Sequence, residues 1–223
     1  MSRKSTIGAW SSAASARLTE AGSPSPNLDT EVLLTHTLDV NRTWLHAHPE
    51  YPLQAAALQQ AEKLLEQRLK RIPIAYLIGH KEFYGREFTV TPDTLIPRPE
   101  SETIIEMATR LIDSERWATI DEVRAIDVGC GSGCLGITLK LERPAITMTL
   151  SDISPKALEV ARQNAQQLGA PVQIIQSDLL AAVPHTASHF QLIIANLPYV
   201  DRSWPTSPEL RHEPAEALYA DDQ

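Results

Sequence analysis

The sequence predicts an α/β fold, a parallel doubly wound sheet preceded by a small helical bundle and a linking β-hairpin. From Arg124 onward, short apolar runs alternate with helical patterns, the rhythm of parallel strands joined by crossover helices. Before Pro73, apolar residues recur at helical spacing. Between these regions, Lys81 to Val90 reads as two short strands about a glycine turn.

A first helix is expected from about Thr6 to Glu20, ended by the breaker Ala21-Gly22-Ser23-Pro24-Ser25-Pro26. Leu28, Val32, Leu33 and Leu38 then recur at helical spacing, with Asp29 near the helix start. Asn41 is placed to cap a short third helix carrying Trp44 and Leu45. A longer helix runs from about Leu53 to Arg71, with Leu58, Ala61, Leu65, Leu69 and Ile72 as an apolar stripe. Such a stripe is a core feature and carries no chemistry. Beyond the hairpin, Pro99 suits the first turn of a helix ending near Asp113. Strand Ala125–Val128 then leads to a helix from Gly133 to about Glu142, and strand Thr147–Leu150 to a helix from Pro155 to Leu168. Strands Val172–Ile175 and Leu192–Ala195 complete the pattern. The division read from these signals is a helical domain over residues 1–72, a linker with the hairpin over 73–97, and the α/β domain over 98–223.

At 223 residues the chain has room for one large domain or two small ones. It is 43% hydrophobic and 22% charged, which suits a globular protein with a buried core. A formal charge of −8 and a pI near 5.4 argue against a partner held mainly through phosphates, and so against nucleic acid. Arg68, Lys70 and Arg71 form a local basic cluster, read as a solvated or dipole-paired helix end. No apolar run approaches the ~20 residues that span a bilayer. Met1-Ser2-Arg3-Lys4 is not followed by the apolar stretch of a secretory leader. A cytoplasmic protein without a membrane partner is the expectation. Cys130 and Cys134 have the spacing of neither a disulfide framework nor a four-ligand zinc site, and read as small packing residues. His46 and His48 have no third ligand nearby and read as surface or packing histidines, so no metal is expected.

Chemistry gathers at the ends of the predicted strands. Asp127-Val-Gly129-Cys-Gly131-Ser-Gly133 follows a strand and opens a helix. Glycines there let the backbone approach a ligand, and the helix start offers free N–H groups. Asp152 ends the next strand, placed to accept from a ribose hydroxyl. Gly131-x-Gly133-x-x-Gly136 also fits the dinucleotide fingerprint. A carboxylate at position 127 would oppose a diphosphate, whereas it suits the ammonium and sulfonium of S-adenosylmethionine. Ser177-Asp178-Leu179 ends the third strand, where Asp178 could accept from an adenine amino group while Leu179 covers the ring; a helix N-cap role for Asp178 is equally open.

The fourth strand runs into Asn196-Leu197-Pro198-Tyr199, at the strand end where open α/β sheets place ligands. Pro198 has no N–H, so the chain must turn with carbonyls free. The side-chain oxygen of Asn196 beside a free backbone carbonyl makes two acceptors for an –NH2 group, and the Tyr199 ring could cover a planar substrate. An ordinary Asn-Pro turn remains the plain alternative.

On these residues the catalytic half resembles the class I S-adenosylmethionine-dependent methyltransferases, with a Rossmann-like sheet. More closely, the chain is similar to the release-factor glutamine methyltransferases, the HemK/PrmC family. The segments that carry this are Leu28 to Leu34, Ile72-Pro73-Ile74-Ala75-Tyr76-Leu77, Leu95 to Glu102, the glycine loop, Asp152-Ile153-Ser154-Pro155 and Arg211-His212-Glu213-Pro214. Ile96-Pro97-Arg98-Pro99-Glu100-Ser101-Glu102 is the most specific of them, since general methyltransferases lack it. The resemblance implies methyl transfer from S-adenosylmethionine to the side-chain amide of the glutamine in the Gly-Gly-Gln loop of peptide chain release factors. It implies that the helical domain helps hold the release factor. It also implies that Gly129, Cys130, Gly131, Ser132, Gly133 and Asp152 hold the donor, and that Asn196, Leu197, Pro198 and Tyr199 bind the glutamine. Glu213 with Pro214 would support the substrate loop, and Arg98 and Glu102 would line the pocket.

Two departures stand out. Leu197 replaces a proline usual in the family; its carbonyl survives but the ring's rigidity does not. The family also continues past the fourth strand, so the sheet is expected to be incomplete at its C-terminal end, with an exposed apolar edge. Two further readings follow from the residues: an adenine N6-methyltransferase acting on nucleic acid, since an exocyclic amine offers the same two hydrogens, and a non-catalytic binding fragment.

Overall fold

The Thr6 hydroxyl accepts the Ala9 N–H and so starts α1 (Ile7–Glu20) where the sequence predicts. The structure, a computed structural model, describes residues 5–117, 120, 122–183 and 190–219. The segment Met1 to Lys4, read above for a leader, lies outside them. α2 (Pro26–Leu38) has proline in its first turn, and α3 (Arg42–Ala47) begins where Asn41 Oδ1 accepts the Trp44 N–H at 2.8 Å. α4 (Ala55–Leu69) is followed by a short α5 (Ile74–Ile78) that the sequence pattern does not announce. Trp10, Leu18, Leu33, Leu34, Leu45 and Leu65 close the core of this helical unit. His48 stacks on Trp44 at 4.4 Å.

Arg68 is not solvated, contrary to its reading as part of a basic cluster. It shares the buried face of α4 with Ala61, Leu64 and Leu65. Its Nε donates to Asp29 Oδ2 at 2.7 Å, and both side chains are almost wholly buried. The Ser23 and Ser25 hydroxyls also donate to the Asp29 carboxylate, so the α1–α2 turn is tied to α4.

The chain divides into compact units at Met1–Ile78 and Gly79–Gln223, not at residue 72. Ile74 and Leu77 pack on the helical core, which draws the segment after Pro73 into the first unit. The hairpin belongs to the second unit and is no free linker. β1 (His80–Phe83) and β2 (Arg86–Thr89) pair antiparallel about Tyr84 and Gly85, both at positive φ as a two-residue hairpin turn requires. Phe83 and Phe88 meet edge-on at 6.2 Å and sit fully buried in the core of that unit.

A 3-10 turn at Pro99–Ser101 leads into α6 (Glu102–Ile112). The sheet then builds from β3 (Arg124–Val128), β4 (Thr147–Asp152), β5 (Gln173–Gln176) and β6 (Leu192–Ala195), in the order β5-β4-β3-β6 and parallel throughout. α7 (Cys134–Glu142) and α8 (Pro155–Leu168) make the crossovers. This is the doubly wound α/β sheet the alternation predicts. The order reverses between β3 and β6, which puts a topological switch point beside Val128 and Ala195. β6 ends the sheet among the described residues, and Ile193 on it is 54% exposed, the open apolar edge the sequence leads one to expect. A 3-10 turn at Pro208–His212 and α9 (Ala215–Leu218) follow.

Candidate functional site

Above the C-terminal ends of β3, β4 and β6 lies a cleft between the glycine loop and the Asn196 turn. The loop leaves β3 at Gly129, whose φ of 68° suits glycine, and a Cβ there would stand 2.9 Å from Leu197 Cδ2. Glycine thus lets the loop and the Asn196 turn meet. Gly136 serves a different contact: a side chain on it would collide with Leu150 and Asp127, so its bareness seats α7 against β3 and β4. Asp152 ends β4 and braces the loop, its Oδ2 accepting the Gly131 N–H at 2.9 Å and its Oδ1 the Ser154 N–H at 2.9 Å.

Of the residues singled out in the sequence, Gly129, Cys130, Gly131, Ser132, Asp152, Asp178, Leu179, Asn196, Leu197, Pro198 and Arg98 all line this cleft. Asp178 and Leu179 are exposed at its edge, with Leu179 in a left-handed conformation. Among the described residues nothing donates a hydrogen bond to the Asn196 carboxamide oxygen or to the Leu197 carbonyl. Two acceptors therefore stand ready side by side in sequence at the cleft wall.

Five residues are placed otherwise than expected. Asp127 is fully buried beneath the loop, where its Oδ2 accepts the Gly136 N–H at 2.8 Å; it anchors α7 and does not line the cleft. Gly133 caps α7 and packs against Ile137 and Ala161. Glu102 turns away to accept the Tyr84 N–H at 2.9 Å, fixing the hairpin turn. Tyr199 is 72% exposed and outside the cleft lining, so its ring covers nothing there. Glu213 is buried behind the wall, accepting from Ile96 N–H and Arg98.

Sequence reading passed over other residues. Asn164 is buried on α8, where its amide bridges Thr89 of the hairpin and the Ser132 carbonyl of the glycine loop. Its signal was a polar residue at helical spacing among Ala157, Ala161 and Ala165. Glu216 and Ala217 reach the cleft from α9, which no local pattern announces, and Pro214, named with Glu213 from the sequence, lines the cleft just before them.

Charge in the cleft is predominantly acidic. Asp152, Asp178 and Glu216 line it, and Asp93 at the wall pairs with the exposed Lys156 at 3.1 Å. Arg98 is the one cation among the described lining residues, and Glu213 holds it at 2.6 Å. The cysteines are poor nucleophiles, because burial pushes the Cys134 thiol up to about 12 and raises Cys130 as well.

Burial also pushes the Asp127 carboxyl up to about 7, against the Gly136 N–H that favours its charge; the nearby Asp152 charge adds to the rise. Its ordinary value is 3.8. A carboxyl raised on folding stabilises most below its unfolded value and loses that contribution as pH climbs through the folded one. Stability is therefore expected to decline as pH rises from about 4 to about 7. Asp127→Asn keeps an acceptor for Gly136 and carries no charge, so urea unfolding of that variant should show a flatter pH dependence.

The chain matches the family description PrmC N-terminal domain over residues 9–79 and the methyltransferase small domain over residues 101–213. It is similar to the release factor glutamine methyltransferase of Koribacter versatilis, 42% identical over 184 residues, covering 82% of this chain and 63% of that protein. Those of Deinococcus radiodurans and Xylella fastidiosa are each 38% identical, over 93% and 91% of this chain respectively and 72% of their own lengths. The chain thus spans 63% to 72% of the length of these relatives.

Proposed function

Because the chain belongs to the release factor glutamine methyltransferase family, we propose that it transfers a methyl group from S-adenosylmethionine to a glutamine side-chain amide in the Gly-Gly-Gln loop of a peptide chain release factor. The observation that carries this reading is the pair of acceptors at Asn196 and Leu197 beside the glycine loop, to which no described residue donates. The donor set also suits the cofactor. An acidic cleft in which Arg98, the one lining cation among the described residues, is already paired favours a cationic sulfonium compound and disfavours a diphosphate. Among the described residues no helix is long and apolar enough to cross a membrane, and the reading puts the protein in the cytoplasm, the compartment of translation.

When bound, S-adenosylmethionine supplies a methyl group made electrophilic by its sulfonium. The protein's task is to make an amide nitrogen act as a nucleophile, although its lone pair is shared with the carbonyl. Asn196 Oδ1 and the Leu197 carbonyl accept the two amide hydrogens. This holds the nitrogen in one orientation and favours positive charge developing on it, which is discharged when the methylated nitrogen releases one of its two protons to solvent. Positioning of this kind supplies roughly 7–11 kcal/mol in well-oriented systems. Gly129 to Ser132 and Asp152 hold the donor, Pro198 keeps the turn rigid, and the helical unit contacts the release factor.

Titration calorimetry of the full chain with S-adenosylmethionine tests the donor half of the proposal. A saturating one-site isotherm is expected, and absence of binding would overturn it. If RNA accepted methyl groups in preference to a release factor, and did so less well as salt rose, the adenine reading would replace the glutamine one.

A further inference from the structure

Arg98 poses a problem for a cleft that takes a cation. Its guanidinium lines the space, about one third exposed, and a free positive charge there would repel a sulfonium. The structure answers from the far end of the chain. Glu213 does not line the cleft and its carboxylate is almost wholly buried. One oxygen accepts from Arg98 Nη2 at 2.6 Å and the other from the Ile96 N–H at 3.1 Å. One carboxylate thus cancels the Arg98 charge and joins two walls of the cleft, the segment at Ile96 to Arg98 and the segment at Pro214 to Ala217.

We propose that Glu213 is a positioning residue that compensates the charge of Arg98, and so sets the preference of the cleft for the sulfonium cofactor over the uncharged thioether left after methyl transfer. The inference rests on the reading of this cleft as an S-adenosylmethionine site. S-adenosylmethionine and S-adenosylhomocysteine differ by one methyl group and one positive charge, so the ratio of their affinities reads the charge of the cleft. A role in packing alone would weaken both ligands together and leave that ratio unchanged.

Calorimetric titrations of both ligands into the parent chain, Glu213→Gln, Arg98→Met and the double variant test this. Glu213→Gln frees the Arg98 charge and should shift the ratio against S-adenosylmethionine by roughly threefold to tenfold, less at high salt. Arg98→Met leaves the carboxylate uncompensated and should shift the ratio the other way. The double variant should return it to the parent value. An unchanged ratio in folded Glu213→Gln overturns the proposal. If that variant does not fold by circular dichroism, a ratio unmoved in Arg98→Met overturns it equally. A parent chain that binds neither ligand counts against the cofactor reading of the cleft and is told apart from a failure at Glu213 by that result.

Discussion

Asn196→Ala is expected to lower methyl transfer about 10²–10³-fold, the loss typical when a donor or acceptor aimed at developing charge is removed. The change leaves the Leu197 carbonyl in place, yet a single acceptor permits the amide to rotate about one hydrogen bond. Donor affinity should be nearly unchanged, because Gly129 to Ser132 and Asp152 form the other side of the cleft. Asn196→Asp tests the same point from the opposite direction: it keeps an acceptor oxygen and adds charge, and should retain part of the rate. Single-turnover transfer with calorimetric donor binding separates the two effects. Near-normal turnover in Asn196→Ala rejects the role given to this side chain.

Asp29→Ala is expected to be the most damaging change to stability, at about 3–5 kcal/mol, because it removes the carboxylate that the buried Arg68 Nε faces at 2.7 Å. The Ser23 and Ser25 hydroxyls lose their acceptor at the same time. Replacing both partners by apolar residues of similar size, as in Asp29→Leu with Arg68→Met, removes the buried charge as well and should recover much of the loss. Urea unfolding followed by circular dichroism checks the order: parent, then the double variant, then Asp29→Ala. A double variant less stable than the single one would contradict it.

The framework of this protein was legible because its signals are local. Alternating apolar runs and helical patterns fix the parallel sheet, and Gly129, Asp152 and Asn196 mark three neighbouring strand ends on one side of it. What the sequence did not disclose depends on partners far along the chain. Arg68 read as a surface cation until Asp29 was seen across the helical core. Glu102 read as a pocket residue and Glu213 as a support for the substrate loop, yet Glu102 accepts from a backbone N–H of the hairpin and Glu213 from Ile96 N–H and Arg98. Asp127 stands where a ligand-facing carboxylate is expected, but it is buried beneath the loop, where an N–H of α7 donates to one of its oxygens. Tyr199 follows the acceptor turn directly, and the chain has already left the cleft at that point. The boundary after Ile78 depends on side-chain packing by Ile74 and Leu77, which a proline in the sequence conceals.

The most direct test is mass spectrometry of a release factor incubated with the full chain and S-adenosylmethionine. The acceptor geometry predicts one added methyl, on the side-chain nitrogen of the Gly-Gly-Gln glutamine, and its loss with Asn196→Ala. Methylation at another residue, or a release factor left unmodified by a chain that binds the donor, would contradict it.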